Sequence, residues 1–116
     1  MRSHEVVIWW ATPVEVQSTL ARLRRAGELA EDVFRKARKR ATSLVGGFHQ
    51  VAPTPEVRDA AIECLERFPL KAADALQLAS AWTWVKRKPR NRLFAVMDAQ
   101  LAAAASELGF DVITPA

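Results

Sequence analysis

The sequence contains a single cysteine and no long apolar run. These features argue against a disulfide-stabilised or cysteine-ligated zinc protein and against a membrane-spanning one. Its single cysteine, Cys64, excludes an internal disulfide and any cysteine-based zinc site. No apolar run approaches the roughly 20 residues that a membrane-spanning helix needs. The N-terminal segment MRSHEVVIWW has no small-residue cleavage site, and its apolar run is too short for a signal peptide. We therefore expect a cytoplasmic protein and a buried structural thiol.

The composition is that of an ordinary folded domain. Half of the 116 residues are hydrophobic, and 26% are charged. That apolar content is sufficient for one core, and the charge is not high enough to predict disorder. We see no internal repeat, low-complexity segment or linker, so we predict a single domain over residues 1–116.

Basic residues are concentrated in two short segments. Residues 22–40 hold eight basic and three acidic side chains, and residues 86–92 hold five basic side chains and no acid. Thirteen of the 17 basic residues therefore lie in these segments. Such clusters suit a polyanion such as RNA. The structural alternative is a solvated helix face and a polar loop.

Strand-like and helix-like segments alternate along the chain. Short runs rich in β-branched and aromatic residues, or alternating apolar with polar ones, predict strands at 6–9, 48–52, 93–97 and 110–113. The intervening segments predict helices at about 13–26, 28–45, 55–68, 70–85 and 99–108. This alternation predicts an α/β fold with a mostly parallel sheet.

Local signals predict where several helices begin. Thr12 can be an N-cap, with Pro13 at the first helical position and Glu15 completing a capping box. Thr54 begins a helix in the same style, and Asp98 is placed to cap the last helix.

Three acids stand apart because each lies in a largely apolar stretch near a helix start: Glu15, Asp74 and Asp98. Glu15 and Asp98 also follow strands, whose carboxyl ends border the ligand crevice in open α/β sheets. Converging carboxylates there would suit Mg²⁺ or Mn²⁺. Each acid also has a structural explanation. Glu15 would close the capping box, Asp98 would be an N-cap, and Asp74 would complement its helix dipole with Lys71 or Gln77 as a partner.

Three segments resemble the PIN domain, the fold of the VapC-type toxin ribonucleases. They are TPVEVQSTLARL, PLKAADALQLASAW and FAVMDAQLAAAASELGFDVI, in the family's order and over nearly the whole chain. The resemblance implies a three-layer α/β/α sandwich around a parallel sheet. It also implies metal-dependent ribonuclease activity with Mg²⁺ or Mn²⁺, a cognate antitoxin as partner, and often a homodimer. Carried over residue by residue, the family's acids correspond to Glu15, Asp74 and Asp98.

The sequence departs from the family pattern in two places. Val96 stands where the family often has Ser or Thr, two positions before the last acid. The family's first strand, which ends in an aspartate, has no counterpart, so we expect an N-terminally truncated PIN-like fold. Without that strand, the first strand here should face the 93–97 strand across a gap. A start assigned too late, a decaying gene or a strand from another chain would each explain the absence.

Three functional hypotheses follow. In the first, Glu15, Asp74 and Asp98 bind one or two Mg²⁺ or Mn²⁺ ions and the chain cleaves RNA, which the basic segments hold by its backbone. In the second, the chain is a catalytically inactive module that binds an antitoxin or RNA. In the third, it is a basic structural protein whose acids serve as helix caps.

Trp82 and Trp84 are two residues apart in a predicted helix and cannot share one face. We therefore expect at least one of them to be half exposed, at a dimer or antitoxin surface.

Overall fold

The structure, a computed structural model, describes residues 6–96 and 98–114. Over these residues it is a mixed α/β chain with elements in the order β1 (Val7–Trp9), α1 (Thr12–Arg25), α2 (Glu31–Gly46), β2 (His49–Val51), α3 (Pro55–Arg67), α4 (Ala72–Trp84), β3 (Leu93–Ala95), α5 (Ala99–Leu108) and β4 (Asp111–Ile113). No helix within these ranges is long and apolar enough to cross a membrane. The chain divides into two compact units, Met1–Gln50 and Val51–Ala116, and each is described by itself.

The first unit is built around the pair of helices α1 and α2. Gly27, at φ +75°, ends α1 in a Schellman motif, in which the Glu28 N–H donates to the Leu23 carbonyl at 2.9 Å. The side-chain amide of Gln17 joins the two helices by donating to the Arg38 carbonyl at 3.3 Å. The apolar core of this pair is small, because α1 has no buried residue and α2 buries only Phe34.

The predicted start of α1 is wrong in its details. The residue before the helix is Ala11, which has no side-chain group to cap it, and Thr12 is already helical. The Ala11 carbonyl accepts from the Val14 and Glu15 N–H groups at 3.0 and 3.1 Å. The chain enters α1 with Ala11 in helical conformation, so Thr12 has no extended capping geometry and Glu15 closes no capping box. The equivalent prediction for α3 is confirmed, since the Thr54 hydroxyl accepts from the Val57 N–H at 3.3 Å.

The second unit contains a well-formed apolar core between α3 and α4. Val57 and Cys64 of α3 and Leu78 of α4 are among its fully buried side chains. Cys64 is 0% exposed, and its burial raises the pKa of the thiol. The predicted role of Cys64 as a buried structural thiol is confirmed.

Within residues 6–96 and 98–114, the strands form two two-stranded sheets, β1–β2 and β3–β4. In the second, β3 pairs with β4 in parallel register, with Phe94 opposite Val112. The Asp111 N–H donates to the Arg92 carbonyl at 2.8 Å and extends this pairing by one bond. Each strand is three residues long, shorter than predicted. Met97, which we placed in the 93–97 strand, lies outside the described residues.

Candidate acidic site

Asp98 is the N-cap of α5, as predicted. Its Oδ1 accepts a hydrogen bond from the Leu101 N–H at 2.8 Å, and the residue is exposed. This bond satisfies one of the N–H groups that every helix leaves unpaired at its start. A carboxylate has two oxygens with about four lone-pair sites. The capping role of Asp98 therefore leaves acceptor capacity for a further ligand.

Asp74 lies in the first turn of α4, next to the core. It is half-buried, while the following residue, Ala75, is 0% exposed. Lys71 precedes the helix and its charge favours the ionised form of Asp74. Over the described parts of the chain, however, neither Lys71 nor Gln77 forms a hydrogen bond or ion pair with the Asp74 carboxylate. Partial access to water, rather than a protein partner, keeps this carboxylate solvated.

The two acids of the second unit interact electrostatically. Burial raises the pKa of Asp74, and the nearby charge of Asp98 raises it further, while Lys71 opposes both effects. Two carboxylates that repel each other in this way would both be stabilised by a cation bound between them. Of the three acids singled out in the sequence, Asp74 and Asp98 are the pair in which the charge of one raises the pKa of the other.

Glu15 lies in the other unit, in the first turn of α1. It is half-buried, and its backbone carbonyl accepts from the Thr19 hydroxyl at 3.2 Å. Across residues 6–96 and 98–114, no three His, Cys, Asp or Glu side chains gather into a group that could hold a metal ion. The acidic site that the structure shows is thus a pair of carboxylates.

A pair of carboxylates is a chemically suitable donor set for Mg²⁺. Mg²⁺ is commonly bound through one or two carboxylates and completes its shell with water and substrate phosphates. The oxygens of Asp74 and Asp98 match this pattern. Val96, 7% exposed, precedes Asp98 by two residues. As noted from the sequence, it adds no hydroxyl to the site.

Arg87 has a structural role that sequence analysis missed. Its Nη1 donates to both carboxylate oxygens of Glu63 at 3.1 Å, and its guanidinium lies 4.0 Å from the centre of the Trp82 ring. Arg87 therefore fixes the end of α4 to α3. Its partner Glu63 is 24 residues away in sequence, so no helical spacing could have revealed the pair.

The basic side chains of residues 22–40 are all exposed. Two of them have partners within the first unit: Arg22 donates to the Thr19 hydroxyl at 3.1 Å, and Arg24 has both an acidic and an aromatic partner. The Arg24 Nε lies 3.0 Å from Glu31, and its guanidinium is 4.7 Å from the Phe34 ring centre. The predicted half-exposure of one tryptophan of α4 is confirmed, since Trp82 is buried and Trp84 is 41% exposed. A partner surface at Trp84 stays a prediction.

The chain matches no protein-family model, and no curated protein or solved structure is significantly similar to it. The resemblance to PIN domains stays a prediction that rests on the three quoted segments.

Proposed function

We propose that this chain is a metal-dependent endoribonuclease of the toxin–antitoxin type, with a PIN-like three-layer fold. The observation that carries the proposal is the placement of Asp74 in the first turn of α4 and of Asp98 at the N-cap of α5, where the charge of Asp98 raises the pKa of Asp74. Asp74 lies in the segment that resembles the family's most recognisable stretch, and Asp98 lies in the segment that resembles its C-terminal strand and helix. The resemblance adds an antitoxin as protein partner, and a homodimer, to the proposal.

In this proposal the two carboxylates hold a divalent ion against the scissile phosphate. Bound there, Mg²⁺ or Mn²⁺ would lower the pKa of a coordinated water and stabilise charge on the phosphate. Asp98 holds its carboxylate at a fixed position through its bond to the Leu101 N–H. Asp74 contributes a second negative charge from the start of α4. The resemblance names Glu15 as a third acid, and that assignment stays a prediction from the sequence.

The alternative function is a module that binds RNA or an antitoxin without cleaving it. Dependence of cleavage on a divalent metal separates this function from the first.

The first experiment is Mn²⁺-dependent cleavage of a structured RNA pool by the full chain, beside its Asp74→Asn variant and a chelator control. We expect cleavage that requires both the metal and Asp74. Absence of cleavage by a folded, soluble wild-type chain would contradict the nuclease proposal and favour the binding module.

Two substitutions at Asp98 separate its acid role from its capping role. Asn caps helices about as well as Asp, whereas Ala loses about 1 kcal/mol of stability at an N-cap. Asp98→Asn should therefore keep the melting temperature and abolish cleavage. Asp98→Ala should abolish cleavage and also lower the melting temperature. Full activity in a stable Asp98→Asn variant would reduce Asp98 to a helix cap.

A further inference from the structure

The outward side of α2 carries four basic side chains close together. With 3.6 residues per turn, they project away from the buried Phe34. All four are exposed, and in the described parts of the chain none forms an ion pair. We call this set the α2 basic face: Arg35, Lys36, Lys39 and Arg40.

The α2 basic face contains like charges at a spacing that destabilises a helix. Arg35 and Lys39 are four residues apart, as are Lys36 and Arg40, while the two acids of the first turn, four residues before Arg35 and Lys36, act in the opposite direction. Packing offers little compensation, because Phe34 is the only buried residue of α2. A bound polyanion would remove the repulsion within both pairs.

Two other basic residues of the two segments are held by an acid and an aromatic ring within the protein. Arg24 pairs with Glu31 at 3.0 Å, and Arg87 binds Glu63 while stacking on Trp82. Removing either would disturb local packing as well as charge. The α2 basic face has no such partner among the described residues, so its charge is available to a ligand.

We propose that the α2 basic face binds the phosphate backbone of RNA; the choice of RNA as the polyanion rests on the proposed function. Arg binds phosphate through a planar fork of donors and Lys as a point charge. Ser43, exposed one turn beyond Lys39 and Arg40, adds a hydroxyl of the kind that also contacts phosphates. An acidic protein is the weaker fit, because protein interfaces are enriched in aromatic residues and depleted in lysine. The single aromatic residue of α2, Phe34, is buried.

The test measures binding directly, without cleavage. A fluorescent 2′-O-methyl RNA 20-mer is titrated with the full chain in chelator, and its anisotropy is followed at several salt concentrations. Because each phosphate contact on a single strand contributes about 0.7 to the salt slope, Arg35→Gln combined with Lys39→Gln should lower the slope by about 1.4 and weaken binding about 25-fold at 0.1 M salt.

The matched control removes the same charge from α3. Arg58 and Arg67 are exposed there, Arg58 with Asp59 at 4.0 Å and Arg67 with its guanidinium 5.1 Å from the Phe68 ring centre. Arg58→Gln combined with Arg67→Gln should weaken binding less than about threefold, and circular dichroism should show that this variant also stays folded. Circular dichroism should show that Arg35→Gln with Lys39→Gln keeps its helix content, because a like-charge pair has been removed. Equal losses from both double variants would overturn the proposal, since net charge alone would then explain binding.

A competition experiment distinguishes RNA from an acidic protein as the ligand of the α2 basic face. Poly-glutamate of matched charge should compete poorly; if it competed as well as RNA, the face would be a site for acidic protein and our proposal would be wrong. A wild-type chain that binds but does not cleave in Mn²⁺ would keep this proposal and contradict the nuclease. A wild-type chain that cleaves RNA, together with equal RNA binding by the two double variants, would keep the nuclease proposal and contradict RNA binding by the α2 basic face.

Discussion

The two helix pairs of this chain have similar lengths and opposite characters. The pair α1–α2 buries only Phe34 and carries eight exposed basic residues on residues 22–40. The pair α3–α4 buries four residues in α3 and five in α4, and α4 itself contains no basic residue. The first pair presents charge, and the second provides the core beside which Asp74 is held.

This contrast separates the helix pair that stabilises the fold from the pair that carries exposed basic charge. Burial of apolar surface stabilises a helix pair by about 25 cal/mol per Å², so α3–α4 should account for most of the stability. The α1–α2 pair uses its surface for exposed basic side chains, whose net effect on folding is small or unfavourable. Substitutions in the two pairs should therefore have very different consequences for folding.

The largest effect is expected in the α3–α4 core. Leu78 is 0% exposed, and Leu78→Ala should reduce the free energy of unfolding by about 2–5 kcal/mol, through lost burial and the cavity left behind. Leu20→Ala, at a half-buried position of α1, is the matched control and should cost less than about 1.5 kcal/mol. Urea denaturation measures both. Equal losses would contradict the contrast between the pairs.

A smaller effect is expected from the residues that follow α1 and α4, because one is a glycine and the other carries a side chain. Gly27 follows α1 at φ +75°, whereas Lys86 follows α4 at φ +56°, a left-handed conformation that is unfavourable for a residue with a Cβ. Lys86→Gly should therefore stabilise the fold by about 0.5–1 kcal/mol. Lys86→Ala is the control and should give no such gain, since alanine keeps the strained conformation. Thermal melts of the two variants test the difference.

The smallest effect is the pH dependence of stability that results from the raised pKa of Asp74. Its pKa is raised in the folded state, so the folded chain binds more protons than the unfolded chain at pH values just above the ordinary aspartate pKa of about 3.9. This contribution makes stability fall as pH rises through that window and leaves a penalty at neutral pH. Asp74→Asn should remove the penalty and raise the melting temperature slightly at pH 7.

The control for Asp74 is Asp32→Asn, at an exposed acid in the first turn of α2. It should lose a favourable interaction with the helix dipole and gain nothing at pH 7. A melting temperature lowered by Asp74→Asn would contradict the repulsion inferred for the acidic pair.

Sequence periodicity and helix caps predicted most of the secondary structure. The caps at Thr54 and Asp98 are confirmed because each depends on a side chain and an N–H three residues later. The start of α2 lies at Glu31, three residues later than predicted, because the Schellman motif after α1 includes Glu28. The cap at Thr12 failed because Ala11 is already helical, and the conformation of a single residue leaves no signal in composition.

The acidic site was partly accessible from sequence. The apolar surroundings of Asp74 and the strand before Asp98 identified both residues, and the structure shows that their charges interact. The half-burial of Asp74 beside the core fits those apolar surroundings, although a run of alanines does not show which side of the helix meets water. The role of Arg87 depends on contacts between distant residues, which local patterns do not encode.

Gly109, which follows α5, lies close to Pro89 in the second unit. It ends α5 at φ +114°, and a Cβ built on it would lie 3.2 Å from Cγ of Pro89 in the loop before β3. A side chain at 109 would thus meet both an unfavourable backbone conformation and a close neighbour. In evolutionary terms, positions 89 and 109 should covary: a larger residue at 109 would require a smaller one at 89, and the pair would change as a unit.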